Sequence, residues 1–233
     1  MRNKLNLPEV TLVYYEVMAS KLGKYNLLNI LDQVNFGEVH LYSPDDYGIP
    51  EVEWFYADNT ISYKDAGEEV TIGLINNIVT SHYITAHWDC QIINPDSWED
   101  KFLDYDYIGA PWPWHKEFQV GCGFSLMSVK LAKFLLDNKE EFPHKFPFDE
   151  VICREYRPRL ELVGFKWADV PLANKFSFER GFNPNSFCFH GFFNWPKIYS
   201  KEETMLRFKL ANDYIVTKKE YPELLVNIIK AYQ

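Results

Sequence analysis

From residue 10 to residue 88 the chain alternates strand-like and helix-like segments, and that alternation confines it to an α/β architecture with a largely parallel sheet. The run VTLVYYEV at 10–17 is β-branched and aromatic and predicts a buried strand. Ser20 then caps a helix over about 21–34 whose apolar face is Leu27, Leu28, Leu31 and Val34, and Asn35-Phe36-Gly37 ends it. GEVHLYS (37–43) predicts a second strand, followed by the loop SPDDYGIPE. A helix is expected over 66–80 through Val70, Leu74, Ile78 and Val79, weakened by Gly73, and a strand over 83–88.

Beyond residue 88 the pattern is mixed. DYDYIGAP and GFSLMS predict short strands, Ser128 caps a helix over about 129–138, Asp149 to Tyr156 predicts a helix, and VGFKWA (163–168) a strand. At Ser200, S-K-E-E has the form of a capping box with Glu203 at its third position, opening an amphipathic helix broken near Pro222. With no internal repeat or low-complexity linker, the chain divides into one domain over 1–199 and a helical extension over 200–233 packed on it.

Composition narrows the function classes. Eighteen Phe, 15 Tyr and 7 Trp make 17% of the residues aromatic, which excludes a disordered chain. The formal charge is -9 and no dense Lys/Arg run exists, so nucleic acid is not an expected partner, and an anionic small molecule would need a local cation. No apolar run approaches the roughly 20 residues of a membrane span, and MRNKLNLPEV lacks a signal-peptide core. Cys90, Cys122, Cys153 and Cys188 form no CxxC pair; they read as reduced, small buried residues of a cytoplasmic protein.

Five segments could carry chemistry, each with a bland alternative. Asp89 in HWDCQIINPDSW follows a strand, where a carboxylate either lines the ligand edge of an α/β sheet or caps a turn. The Trp-Pro steps of DYDYIGAPWPWH, with Trp112 and Trp114, suit stacking on a sugar or simple surface packing. Gly121 and Gly123 in QVGCGFSLMS allow close approach of a ligand or a tight turn, and no P-loop follows. Asp149 and Glu150 open a helix, where the dipole favours acids whether or not one is a general base; adjacent helical positions diverge by about 100°, so one of them faces a site. His190 in FCFHGFFNW is a ligand or a hydrogen-bonded core residue.

Taken together, TSHYITAHWDCQIINPDSWEDKFLDYDYIGAPWPW, VGCGFSLMS, FDEVICREYRPRLE and FHGFFN, with NFGEVHLYS upstream, resemble in order the blocks of the DUF5672 family of glycosyltransferase-like proteins. The likeness is strong over about 80–195, weaker over 8–80, and does not reach 1–8 or 200–233. It implies a GT-A-like fold: a Rossmann-type mixed, largely parallel sheet flanked by helices, holding a nucleotide-sugar. In such enzymes a D-x-D motif binds Mn²⁺ or Mg²⁺, which neutralises charge on the leaving diphosphate. By position, Asp89 matches the metal-binding Asp, while His87 replaces the first Asp of the motif and Trp88 lies between them. His190 matches the late metal-site His, with Gly191 beside the substrate. Asp149 and Glu150 match the acidic pair that supplies the acceptor-activating base. Gly123, Phe124 and Ser125 match the segment lining donor sugar or acceptor, with Cys122-Gly123 in place of the family's Gly-Gly. The donor base is expected near Tyr14 to Glu16.

The resemblance therefore implies a glycosyltransferase acting on a nucleotide-sugar and a glycan or other hydroxyl acceptor. Two rivals stand beside it. A non-catalytic carbohydrate-binding protein is suggested by the missing D-x-D carboxylate. A glycoside hydrolase is suggested by aromatics beside paired carboxylates. The cysteines near these segments should cluster under the site without making a soft-metal centre.

Overall fold

The computed structural model describes residues 3–18, 20–58, 73–121, 123–145 and 147–211. Four parallel strands form its centre: β1 (Leu5–Tyr15), β2 (Val34–Ser43), β3 (Glu53–Tyr56) and β4 (His82–Ala86). Two antiparallel additions, β6 (Tyr107–Ile108) and β7 (Ser125–Ser128), complete a six-stranded sheet in the order β3-β2-β1-β4-β7-β6. This is the expected mixed, largely parallel sheet.

Strand alternation divides the side chains between two cores. Val10, Leu12 and Tyr14 of β1 enter one with Leu41, Ile84 and Leu126, covered by Leu27, Ile30 and Leu31 of helix α1 (Ser20–Leu31). Val13 and Tyr15 enter the other with Tyr42, Tyr83 and Met127, covered by Leu131, Ala132 and Leu135 of α2 (Val129–Asp137). Both faces of β1 are thus covered from Val10 to Tyr15, where every residue is buried and all but Thr11 are apolar or aromatic. Ser128 caps α2 as expected, its hydroxyl accepting from the Leu131 N–H.

Chain order places β1, β2 and β3 in one direction from β1 and β4 in the other, so the sheet reverses between β1 and β4. Ligands of open α/β sheets bind at that switch point, beyond the carboxyl ends of the strands. Over it lies a second sheet of two-residue strands, β5 (Gln91–Ile92), β8 (Ser177–Phe178) and β9 (Cys188–Phe189), in the order β5-β9-β8. Asp149 and Glu150 lie in a short turn α3 (Phe148–Glu150), followed by a wider π turn (Val151–Tyr156) and α4 (Arg157–Leu162). Helix α5 (Val170–Phe176) leads into β8, and α6 (Trp195–Ile198) and α7 (Lys201–Leu210) follow β9.

Several boundaries differ from expectation. Helix α1 stops at Leu31 and Asn35-Phe36-Gly37 lies inside β2, because a Cβ on Gly37 would stand 2.3 Å from the Pro8 carbonyl of β1: the glycine serves strand approach. Residues 66–72 of the expected 66–80 helix, the Ser20 capping side chain and the Pro222 break lie outside the described residues. From Gly73 that segment is one 3₁₀ turn, Gly73–Asn77, and Val79 is exposed. VGFKWA is no strand; only Trp167 bridges to Tyr107. At Ser200 the hydroxyl accepts from Glu203 N–H at 3.2 Å, whereas the Glu203 carboxylate turns to Tyr25 and Arg207. Phe208 of α7 packs on Trp195 at 5.1 Å. Among the described residues no helix is long and apolar enough to cross a membrane.

Candidate functional site

Asp89 lies just beyond the end of β4 at Ala86, in a turn closed by Cys90 N–H donating to His87 O at 3.1 Å. That turn sits at the switch point beside the end of β1, whose Tyr14 pairs with Ala86. His190 follows β9, and its N–H donates to Phe178 O at 3.0 Å, extending the β8–β9 pairing by one residue. The two meet with His190 Nε2 at 3.5 Å from Asp89 Oδ1. On the other ring nitrogen, His190 Nδ1 lies 3.6 Å from Oε1 of Glu179, the first residue after β8. Gly123 closes one side: a Cβ there would stand 2.8 Å from both Cε1 and Nε2 of His190. Four segments far apart in sequence therefore converge on one imidazole.

Asp149 and Glu150 diverge as their helical spacing requires. Asp149 is partly buried, and desolvation raises its carboxyl from the usual value, with His190 pulling it back down and Glu179 pushing it up further. It therefore feels the same cluster. Glu150 is exposed and occupied by ion contacts to His115 Nε2 at 3.6 Å and Arg154 Nε at 3.8 Å. Of the two base candidates, Asp149 is the one whose carboxyl is coupled to His190 and Glu179.

Some expected contact residues are placed elsewhere. Tyr14 is fully buried in the core, so its ring offers no face to a nucleotide base, and Glu16 is buried with Oε1 accepting the Met18 N–H at 2.7 Å. Trp88 is floor rather than wall: it stacks on Phe192 at 5.8 Å and meets Trp195 edge-on. Phe124 is core, Ser125 is a buried β7 residue, and Trp112 is packed so tightly on Gly121 that a Cβ there would stand 2.1 Å from its ring. Gly191 is buried at φ 93°, a left-handed turn that favours glycine and directs the chain from His190 into the next helix. Trp114 alone of the two loop tryptophans is exposed, at 56%.

Glu179 and Arg180 went unnoticed in the sequence. The Arg180 guanidinium lies 4.3 Å from the Phe193 ring centroid and 5.9 Å from that of Trp114, with Nε 3.5 Å from Glu179 Oε1. It places a positive charge beside the Asp89–His190–Glu179 cluster. The signal was present only as an acid–base pair closing the short aromatic run FSFER.

The donor set fits a divalent cation. Asp89 Oδ1, His190 Nε2 and Cys90 Sγ lie within 4.8 Å of one another. Neighbouring ligands on an octahedral ion with bonds of about 2.1 Å stand about 3 Å apart, close to the 3.5 Å between the Asp89 and His190 donors. Burial pushes the Cys90 thiol well above its ordinary value, which disfavours the thiolate a soft metal takes and leaves one carboxylate and one imidazole as the readier donors. That set suits Mn²⁺ or Mg²⁺ rather than a soft metal. His87, in the first position of the motif, is held down to about 4 by burial, against the pull of Asp89, and stays neutral. Cys90, Cys153 and Cys188 are free and buried, with Cys90 and Cys188 near enough to interact; Cys122 lies outside the described residues.

Residues 76–190 match the family described as "Protein of unknown function (DUF5672)". No curated protein matches the chain. Among solved structures, the galactosyltransferase LgtC, as an active-site mutant, matches with a TM-score of 0.50 at 8% identity, covering 92% of this chain and 99% of that one. The apo-form glycosyltransferase GlyE of Streptococcus pneumoniae matches with a TM-score of 0.50 at 9% identity, covering 99% of this chain; the match spans 64% of GlyE. At such identities the likeness speaks for architecture alone, and the architecture is that of the GT-A glycosyltransferases.

Proposed function

We propose that the protein is a glycosyltransferase that moves a sugar from a nucleoside-diphosphate-sugar to a hydroxyl of a glycan or other acceptor. The observation that carries this reading is the Asp89–His190 pair, 3.5 Å apart at the switch point of a GT-A sheet. Asp89 and His190 would hold Mn²⁺ or Mg²⁺, which when bound neutralises charge on the leaving diphosphate. Asp149 accepts the acceptor's hydroxyl proton. The acceptor oxygen bonds to the anomeric carbon, and the bond from that carbon to the diphosphate oxygen breaks, its electrons leaving with the nucleoside diphosphate. The raised Asp149 carboxyl makes it a stronger base than an ordinary aspartate. Trp114 and Phe193 offer stacking surface to a sugar, and Arg180 between them offers positive charge to the donor. The transferase unit spans 1–199 and an extension follows from 200, whose described helix α7 packs Phe208 on Trp195.

Thermal-shift screening of UDP-, GDP-, CDP- and dTDP-sugars with and without Mn²⁺, followed by a transfer assay, tests the reading. A metal-dependent shift for one donor, lost in Asp89→Ala together with transfer, is the expected outcome. Sugar binding without turnover of any donor would replace it with a carbohydrate-binding protein. Release of sugar from a glycoside without nucleotide would replace it with a hydrolase.

A further inference from the structure

The His190 ring is gripped on both nitrogens. Asp89 Oδ1 lies 3.5 Å from Nε2 and Glu179 Oε1 lies 3.6 Å from Nδ1. Glu179 is therefore on the side of the ring away from the donor pair, too far round to share an ion with Asp89. Both carboxylates are poorly exposed, at 13% for Asp89 and 10% for Glu179, so neither is screened as a surface acid would be.

The backbone beneath is fixed to match. Buried Asn194 donates through Nδ2 to Glu179 O at 2.6 Å and to His190 O at 2.9 Å, tying the residue after β8 to the residue after β9. His190 N–H donates to Phe178 O at 3.0 Å, closing the same junction from the other end. Gly123 stands against the imidazole edge at Cε1 and Nε2, where any Cβ would displace it. The ring is thus set in position by three segments, and only the location of its proton remains to be decided.

We infer that Glu179 is a positioning residue that holds His190 in the tautomer protonated on Nδ1, leaving the Nε2 lone pair directed at Asp89 and any cation shared with it. An imidazole that ligates a metal through one nitrogen commonly gives its other N–H to a carboxylate, which fixes the tautomer and raises ligand basicity. The inference rests on the proposed cation at Asp89 and His190: without it Asp89 Oδ1, at 3.5 Å from Nε2, competes for the ring proton with Glu179 Oε1, at 3.6 Å from Nδ1, so the tautomer is read with a diamagnetic cation bound. It also gives the chain a compensation for the D-x-D carboxylate replaced by His87: with one carboxylate fewer, the remaining imidazole is made the better donor.

Two measurements on the full chain test it. Long-range ¹H–¹⁵N NMR of the protein with saturating Mg²⁺ at mildly alkaline pH, with His190 signals assigned by difference against His190→Asn, reads the tautomer directly. Wild type should show Nδ1–H; Glu179→Ala should shift toward Nε2–H; and Glu179→Gln, which keeps an acceptor oxygen, should retain Nδ1–H. Mn²⁺ titration followed by electron paramagnetic resonance should show binding weakened about 10- to 100-fold in Glu179→Ala and less in Glu179→Gln. Circular dichroism confirms that each variant is folded, and the glutamine variant carries the test if the alanine variant is not. An Nε2–H tautomer in wild type, or a tautomer and Mn²⁺ affinity untouched by both substitutions, overturns the inference. Wild type that binds neither Mn²⁺ nor Mg²⁺ overturns the metal reading itself, an outcome distinct from a bound cation with the other tautomer.

Discussion

In the six-stranded sheet, β1 runs 11 residues and its side chains alternate between two cores, each covered by a helix. In the three-stranded sheet each strand is two residues long, and the segment is held by individual polar bonds: Asn194 to Glu179 O and His190 O, Asn94 to Ser186 O, and Cys188 Sγ to Phe176 O. The large sheet delivers Asp89 by its position at the end of β4. The small sheet delivers His190 and Glu179 by a handful of named contacts. Stability in the first is spread over many apolar neighbours; geometry in the second depends on a few donors. Damage to the two should therefore separate into lost stability and lost function.

A paired substitution tests that separation. Leu12→Ala empties a fully buried position in the large sheet and should lower stability by about 2–5 kcal/mol. The folded fraction should keep its transfer rate, since Leu12 faces the core beneath α1. Asn194→Ala leaves two carbonyls of the small sheet without their amide donor, costing about 1–3 kcal/mol, yet it should reduce transfer and Mn²⁺ affinity well beyond what the loss of folded protein explains. Chemical denaturation and activity per folded molecule are the readouts. If Leu12→Ala costs more activity per folded molecule than Asn194→Ala, the two sheets do not divide the work as described.

The same contrast explains what could be read in advance. The large sheet was legible in part because a covered strand needs an apolar run and a helix needs an apolar face: the expected strands at 10–17, 37–43 and 83–88 overlap β1, β2 and β4, whereas the polar starts of β1 and β2 and the short β3 carried no such signal. Two-residue strands have no period to detect, so β8 and β9 passed unseen, and with them Glu179 and Arg180. VGFKWA failed in the opposite sense: it has strand-forming composition, but only Trp167 finds a partner. Asp89, Asp149 and His190 were legible through the resemblance of their motifs rather than through any spacing of their own. Trp88, Trp112 and Tyr14 were read as ligand surfaces because a large aromatic serves a core and a sugar equally well, and only burial separates the two uses.

Acid should act on the two regions through different groups. In the large sheet, burial lowers His40 of β2, against the pull of Glu38 and Glu53, and His82 of β4, against the pull of Tyr105 O and nearby Asp106 and Glu9. Their folded values lie below the ordinary value of about 6.5, so the unfolded chain binds more protons as pH falls through that value. Their contribution to stability is present above it and is lost progressively below it. At the site, Asp149 as the proposed base must be ionised to accept a proton, and its carboxyl is raised by desolvation. Transfer should therefore fall with decreasing pH at a point above the usual aspartate range. Asp149→Asn should cost about 10²- to 10⁴-fold in kcat while leaving the acid dependence of thermal stability in place. His40→Phe should flatten the stability profile and leave the activity limb. If both limbs move together in either variant, one group governs both.

The smallest expected effect lies at the rim, where neither sheet is involved. Trp114 reaches the site only through Arg180, whose guanidinium lies 5.9 Å from its ring centroid and 4.3 Å from that of Phe193. An exposed ring that stacks on a sugar contributes about 0.5–1.5 kcal/mol, or about 2- to 10-fold in affinity. Trp114→Ala should raise KM by that factor with kcat and melting temperature nearly unchanged, because the ring supports no core and touches no reacting atom. Trp112→Ala, in the same Trp-Pro loop but buried against Gly121, should instead lower the melting temperature. A kcat effect of Trp114→Ala without a KM effect would mean that the rim ring acts on the chemistry, through Arg180 and Glu179, and not on substrate binding.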